Sequence, residues 1–258
     1  RLNLRPEEVT DVLLTHIHLD HAGAAWYFAR RGARIHVHPK GAPHLIDPSR
    51  LWESAGRLYG DALVPLWGEI HPIPAEQVHV LRDEEEIVIG PHRFVALDTP
   101  GHANHHMAYL YENACFSGDV AGVRLYGTRH LRLPTPPPEF LPDVWRASLA
   151  RLRAARIACV VPTHFGPFDD AEWPGFGTLA AAERARDEVE RFMAAEFAAG
   201  VELETLREHT RAWNAARAAA DGVSPAARAA YEVALPSGTS ADGMWRYWMK
   251  VKNPPRRE

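Results

Sequence analysis

The chain has 258 residues, of which 46% are apolar and 24% charged, and its formal net charge is -4. This composition is ordinary for a globular protein with a sizeable core, and the mild negative charge argues against a nucleic acid as the main partner. No apolar run approaches the roughly 18 residues that a transmembrane helix needs, so we expect no membrane partner.

The first predicted elements alternate between strand and helix. "DVLLT" (11–15) is a short apolar run that predicts a buried strand, and "AGAAWYFARRG" (22–32) predicts a helix. "RIHVH" (34–38) predicts a second strand, which Pro39 ends. Residues 41–68 predict short helices.

Two hairpins, a helix and a last strand follow. "EEIVIG" and "HRFVALDT" alternate in polarity and are separated by Gly90-Pro91, which predicts a hairpin. "MAYLYENACFSGD" predicts a second hairpin that turns at Glu112-Asn113. The Pro-rich stretch 121–142 predicts a loop, "DVWRASLARLRAARI" predicts an amphipathic helix, and "ACVVPTHFG" predicts another buried strand.

The pattern becomes almost entirely helical after about Gly177. Apolar stripes at helical spacing run through Phe192 and through Trp213. We therefore predict two domains, an α/β domain over 1–176 and a helical extension over 177–258. The helical stripes are also a candidate homo-oligomer interface.

Protonatable side chains are concentrated directly after the first predicted strand, in a chain that has 15 histidines. His16 and His18 are two residues apart, so in an extended chain they point to the same side. Asp20 and His21 are predicted to follow in a turn and to reach a neighbouring point. Because imidazole nitrogen and carboxylate oxygen bind ions such as Zn²⁺, these residues predict two adjacent groups of metal ligands.

Four residues cannot complete two metal sites, so further ligands are expected at the ends of other strands. His102 lies in "DTPGHANHH", Asp119 in "FSGDV" and His164 in "VVPTHFG". Each of them comes just after a predicted buried strand. The sequence therefore predicts a two-metal centre built where strands end.

The stretch from Val9 to Gly166 resembles the metallo-β-lactamase superfamily. The resemblance lies in four motifs that occur in the family's order, "HIHLDH", "TPGH", "SGD" and "PTHFG". The resemblance implies an αββα sandwich, here followed by the helical extension. Such proteins usually have strands before the first motif, so we expect the natural chain to extend upstream of Arg1. The implied ligand sets are His16, His18 and His102 for one metal, Asp20, His21 and His164 for the other, and Asp119 as the bridge.

The resemblance also implies a hydrolase in which two ions about 3.5–4 Å apart share the water that attacks the substrate. Zinc is the expected ion, with iron and manganese as alternatives. Asp20 and Asp119 are the implied catalytic carboxylates. The redox branch of the family has Glu where His18 stands, and the commonest lactamases have Cys where Asp119 stands. The branch that remains hydrolyses esters, thioesters and lactones of small molecules, and includes hydroxyacylglutathione-hydrolase-like proteins.

Other functions stay open at this point. The same kind of site serves phosphodiesterases, and a one-iron persulfide dioxygenase-like protein or a metal-binding scaffold without turnover is a further alternative. His36 and His38 repeat the two-residue spacing without a following acid, so we interpret them as structural residues or as partners that support the ligands. For a further set of residues the sequence leaves two roles open, packing in the fold or contact with the substrate. These residues are His105, His106, His130, Arg132, Trp52, Tyr59 and Trp67.

The two cysteines, Cys115 and Cys159, both lie in apolar stretches. This placement predicts buried thiols rather than a disulfide. Buried thiols are typical of a reducing compartment, so we expect a cytoplasmic protein.

Overall fold

The structure is a computed structural model that describes residues 3–155, 157–169 and 177–253. Its contacts divide the chain into two compact units. Unit 1 comprises Arg1–Asp98 and His105–Glu112, and unit 2 comprises Thr99–Asn104 and Asn113–Glu258. Among the described residues, no helix combines the length and the apolar character needed to cross a bilayer.

Unit 1 contains strands and short helices, in the mixed α/β order that the sequence predicts. The strands are β1 (Asp11–Leu13), β2 (Arg34–Val37), β3 (Val78–Val80), β4 (Glu86–Ile89), β5 (His92–Asp98) and β6 (Met107–Tyr111). The helices are α1 (Leu19–Ala22), α2 (Ala25–Ala29), α3 (Ala42–Ile46), α4 (Ser49–Tyr59) and α5 (Leu63–Trp67). Short 3-10 helices cover Pro6–Glu8, Gly60–Ala62 and Ala75–Gln77.

Unit 2 is mostly helical. Its strands are β7 (Ala114–Gly118), β8 (Cys159–Pro162) and β9 (Phe168–Asp169). Its helices are α6 (Pro142–Ala154), α7 (Thr178–Ala198), α8 (Leu203–Ala220), α9 (Pro225–Ala234) and α10 (Ser237–Tyr247), followed by a π-helix at Trp248–Lys252.

Two groups of strands form the sheets of unit 1. β1, β2 and β3 are parallel, and β2 places His36 opposite His79 of β3. The helices α1 and α2 connect β1 to β2, which is the crossover that parallel strands require. β4, β5 and β6 are antiparallel, and β4 and β5 form the predicted hairpin with Ile89 opposite His92.

Side chains of the parallel strands point alternately to two faces, and each face packs against an apolar layer. Ile35 and Val37 are fully buried and pack with residues of α1, α2 and α3 on one face. On the other face, Leu13 packs against a cluster that includes Tyr109 of β6. The Tyr109 hydroxyl donates a hydrogen bond to the carbonyl of Leu14 at 2.6 Å. Unit 1 is therefore layered as helices, parallel strands and antiparallel strands, and β1 ends beside β6.

Unit 2 packs α6 beside a short group of strands. β7 is parallel to β8, with Cys115 opposite Val160, and β9 is antiparallel to β8. Trp145 of α6 is fully buried, and its indole N–H donates to the carbonyl of Val120 at 2.7 Å. This bond fixes the chain directly after Asp119.

The loop at 121–142 is anchored to the C-terminal helices. His130 is fully buried, and its Nδ1 lies 2.6 Å from Oδ2 of Asp221. Burial lowers the pKa of His130, and the Asp221 carboxylate opposes that effect. Arg132 donates to Glu232 at 2.6 Å and to the carbonyl of Leu235 at 2.8 Å. Of the two interpretations left open for His130 and Arg132, their contacts favour packing.

Three local predictions differ from the structure. The helix predicted at 22–32 is shorter in the structure, where α2 covers only Ala25–Ala29 and residue 22 ends α1. The turn predicted for Asp20 and His21 is wrong, because the carbonyl of His18 accepts hydrogen bonds from the backbone N–H groups of His21 and Ala22 and so begins α1. β3 was not predicted, because three residues are too few for a strand pattern.

The predicted domain boundary at 176/177 falls beside undescribed residues. α7 begins at Thr178, and the chain from there to Lys252 is helical apart from short connections. The division into domains over 1–176 and 177–258 stays a prediction.

Candidate metal centre

The loop between β1 and α1 carries the first two predicted ligands. His16 is fully buried, and its Nε2 lies 3.0 Å from Nδ1 of His18. The two rings meet edge to face, with their centroids 4.6 Å apart. The two-residue spacing therefore brings both imidazoles to the same point, as the extended chain predicted.

The helix α1 carries the other two predicted ligands of unit 1. Oδ2 of Asp20 lies 3.2 Å from Nε2 of His21. The His21 ring centroid is 3.8 Å from that of His16. The His21 side chain is only 3% exposed, whereas that of Asp20 is 37% exposed. His16, His18, Asp20 and His21 thus form one group of nitrogen and oxygen atoms, with Asp20 nearest to solvent.

Neighbouring residues hold this group in place. Oγ1 of Thr15 lies 3.1 Å from Nδ1 of His16. The backbone N–H of Ile17 donates to Nδ1 of His105 at 3.4 Å, and the N–H of Met107 donates to the carbonyl of Thr15 at 2.6 Å. The start of β6 therefore supports the ligand loop. The sequence left the role of His105 open. The sequence feature that pointed to a role near the ligands was its place in "HANHH", three residues after His102.

Two further histidines of unit 1 pair with carboxylates outside the ligand group. Nε2 of His36 lies 2.7 Å from Oδ1 of Asp11, and Nε2 of His38 lies 3.3 Å from Oδ1 of Asp98. Burial lowers the pKa of both histidines, and the paired carboxylate opposes that effect in each case. These contacts favour the structural role predicted for His36 and His38.

Unit 2 holds the three remaining predicted ligands around one carboxylate. Asp119 follows β7 and is 4% exposed. Its Oδ2 lies 3.5 Å from Nε2 of His102, and its Oδ1 lies 3.5 Å from Nε2 of His164. Each oxygen of the carboxylate therefore faces a different imidazole.

The orientation of His102 follows from its other ring nitrogen. Nδ1 lies 2.8 Å from the carbonyl of Pro134. Because a carbonyl only accepts hydrogen bonds, Nδ1 carries the hydrogen, and in a neutral ring the lone pair is then on Nε2, which faces Asp119. A lone pair and a carboxylate that face each other require a proton or a cation between them, and metal-binding histidines have this arrangement.

The seven predicted ligands thus fall into a group of four in unit 1 and a group of three in unit 2. All seven are among the His and Asp residues that could hold a metal ion. Imidazole and carboxylate donors fit zinc, iron or manganese. The full ligand set draws on both units, and it stays a prediction.

Gly101 positions His102 and tolerates no side chain. Its φ is +136°, and a Cβ at this position would overlap Cα and Cβ of Trp145 and lie 2.8 Å from Cγ of Trp145. Its carbonyl accepts from the N–H of Leu141 at 2.8 Å. The backbone before His102 is therefore held directly against α6.

We expect Gly101→Ala to lower the free energy of unfolding by about 2 kcal/mol or more, because it combines backbone strain with overpacking. It should also weaken metal binding, because His102 is the next residue. Urea denaturation and zinc titration measure both effects. Gly127→Ala is the matched control, since Gly127 also has a positive φ (+76°) but open space around it. Equal effects of the two variants would contradict the close-contact explanation.

Sequence comparison identifies relatives of this chain. A family model described as the metallo-beta-lactamase superfamily matches residues 1–164. The metallo-beta-lactamase fold-containing protein ST1585 of Sulfurisphaera tokodaii is 31% identical over 144 residues, which are 54% of this chain and 54% of the relative. A hydroxyacylglutathione hydrolase of Fuscovulum blasticum is 30% identical over 149 residues, which are 57% of this chain and 44% of the relative. The chain spans about half the length of the curated relatives it matches.

Structural comparison gives the same fold. The crystal structure of ST1585 superposes with a TM-score of 0.58 and 26% identity, covering 69% of this chain and 67% of that one. A metallo-beta-lactamase family protein from Thermus thermophilus also has a TM-score of 0.58, with 25% identity, and covers 76% of this chain and 66% of that one. The α/β sandwich class predicted from the sequence is therefore confirmed.

Proposed function

The chain belongs to the metallo-β-lactamase superfamily, and on this basis we propose that it is a hydrolase that uses two divalent metal ions to cleave an ester-like bond. The bond is that of a thioester, a lactone or an ester in a small molecule. His16, His18 and His102 would hold one ion, and Asp20, His21 and His164 would hold the other. Asp119 would bridge them.

The surroundings of Asp119 are the observation that carries the proposal. A carboxylate can bridge two ions by offering one oxygen to each, and each ion needs further ligands of its own beside that oxygen. The two oxygens of Asp119 face His102 and His164 separately, each at 3.5 Å. This arrangement supports two ions rather than one.

The donor atoms fit the ions that the family uses. Every proposed ligand offers a nitrogen or oxygen atom of the kind that zinc binds, with iron and manganese as alternatives. The hydrogen bond that Nδ1 of His102 donates to the Pro134 carbonyl leaves Nε2 of that ring as the ligand atom. Such partners orient a ligating imidazole before it binds a metal.

When bound, the two ions would lower the pKa of a water toward about 7 and polarise the substrate carbonyl. The residues of the chain supply the rest. Asp20 is more exposed than Asp119, with side-chain exposures of 37% and 5%. Its carboxylate can therefore accept a hydrogen bond from a water that enters from solvent and orient it toward the substrate. Asp119 places a buried negative charge opposite His102 and His164.

The names of the relatives are compatible with a hydrolase, although they do not identify the substrate of this chain. A hydroxyacylglutathione hydrolase is a thioester hydrolase by name, and it aligns with 57% of this chain. Its activity is transferred here only as a proposal. We further propose a cytoplasmic location, and a homo-oligomer through α7 to α10.

Elemental analysis of the purified protein followed by a substrate panel tests the proposal. We expect about two zinc-like ions per chain and hydrolysis of thioesters, lactones or carboxylic esters. Hydrolysis of phosphodiesters alone would identify a phosphodiesterase instead. One iron per chain with oxidation of a persulfide would identify the one-iron alternative, and no turnover with any substrate would leave a metal-binding scaffold.

A further inference from the structure

An apolar surface built by α4 and α5 lies against the metal-ligand helix in unit 1. Leu19, which stands between His18 and Asp20, is 8% exposed and packs in a cluster with residues of both helices. Aromatic residues of α4 and α5 surround it. We refer to Leu19, Trp52, Tyr59 and Trp67 as the aromatic wall.

The aromatic wall includes a residue of the ligand helix α1. The Tyr59 ring packs edge to face against that of Trp67, with centroids 5.6 Å apart. The wall is therefore continuous from Leu19, which stands between two proposed ligands, to the rings of α4 and α5.

The wall is only partly covered by the protein. Trp52, Tyr59 and Trp67 are half-buried. The residues beside them include exposed apolar side chains, with Leu58 at 43% and Leu66 at 61% exposure. Apolar surface of this kind is unfavourable in water and often marks a binding site when it is contiguous.

One cation next to the wall is already paired with an anion of its own helix. Arg57 of α4 donates to Glu53 at 2.6 Å. The wall residues themselves offer three aromatic rings and one aliphatic side chain. Their chemistry therefore matches an apolar group on the substrate rather than a charged one.

We propose that the aromatic wall binds the acyl group of the substrate, so that the preferred substrates are esters, thioesters or lactones of medium-length or aromatic acids. This inference rests on the proposed hydrolase function and adds the class of acid to it. Leu19 links the two, because its neighbours on both sides are metal ligands and its side chain belongs to the wall.

A series of 4-nitrophenyl esters of increasing acyl length tests the proposal on the zinc-loaded full chain. Six added methylene groups lie between acetate and octanoate, so we expect kcat/KM to rise at least about tenfold along the series. Trp52→Ala should lower kcat/KM for octanoate at least about fivefold and for acetate less than about twofold. The octanoate preference is the readout that a merely structural role of Trp52 would not change.

Two further variants control for folding. Trp213→Ala removes a half-buried tryptophan of α8 that stacks on Phe192 at 4.5 Å, and it should leave the chain-length preference unchanged. If Trp52→Ala does not fold, Leu66→Ser replaces it, because an exposed side chain is removed without leaving a cavity. Leu66→Ser should lower kcat/KM for octanoate about twofold to threefold and spare acetate.

Binding of decanoate, followed by tryptophan fluorescence, separates this proposal from the hydrolase proposal. Hydrolysis with no chain-length preference, or an equal loss for all esters in Trp52→Ala, overturns the acyl-binding wall and leaves the hydrolase intact. If no ester, thioester or lactone is hydrolysed, the hydrolase proposal fails. In that case decanoate binding that Trp52→Ala weakens still supports the wall, and binding that the variant leaves unchanged, or no binding, overturns it.

Discussion

Replacing Asp119 by alanine should lower kcat at least about a thousandfold and remove at least one metal ion per chain, while the fold is retained. The reason is the position of its carboxylate, of which each oxygen faces a different histidine at 3.5 Å. Without it, His102 and His164 would lose the negative charge that both ions are proposed to share. Elemental analysis, circular dichroism and the rate on the best substrate of the panel measure the three parts of the prediction.

Asp221→Ala is the matched control for this experiment. Asp221 is also an aspartate paired with a buried histidine of unit 2, with Oδ2 2.6 Å from Nδ1 of His130. Its removal should cost stability but leave the metal content and kcat close to those of the unmodified chain. Full activity and two ions per chain in Asp119→Ala would refute the bridging role, whatever the control shows.

Removing the metal should lower the activity about as strongly as Asp119→Ala does. After dialysis against a chelator we expect less than about 1% of the activity, and added Zn²⁺ or Mn²⁺ should restore most of it. Metal that binds only the folded chain also stabilises it, so the melting temperature should fall on chelation and rise again on reloading. Activity measurements and thermal unfolding on the same samples check both statements.

Magnesium is the control ion for reloading. Mg²⁺ prefers oxygen ligands and keeps its waters, so a site dominated by imidazole should bind it weakly. We expect Mg²⁺ to restore little activity. An enzyme that ignores the chelator, with no change in its melting temperature, would contradict any metal-dependent mechanism.

Short-range features of the site were predictable from the sequence. The spacing of His16 and His18 places both on the same side of an extended chain, and the structure has their ring nitrogens 3.0 Å apart. This inference depends on neighbours within a few residues, where backbone geometry alone decides what can meet.

Long-range features were not predictable. The sequence could not show that His105 accepts a hydrogen bond from Ile17, because that contact depends on where β6 lies beside the ligand loop. It also could not assign His130 and Arg132 to packing, since their partners are about 90 to 105 residues further along the chain. Tertiary contacts of this kind leave no periodic signal in the sequence.

The hydrogen bond from His102 to Pro134 connects the orientation of a proposed metal ligand to the C-terminal helices. Pro134 lies two residues after Arg132, whose guanidinium is held by Glu232 and Leu235 near the end of α9. The helices thereby preorganise one tautomer of His102, the one whose Nε2 is ready to ligate. A shortened chain that kept all seven ligand side chains would let that imidazole exchange its proton between both nitrogens, and its metal affinity would fall although no ligand had been removed.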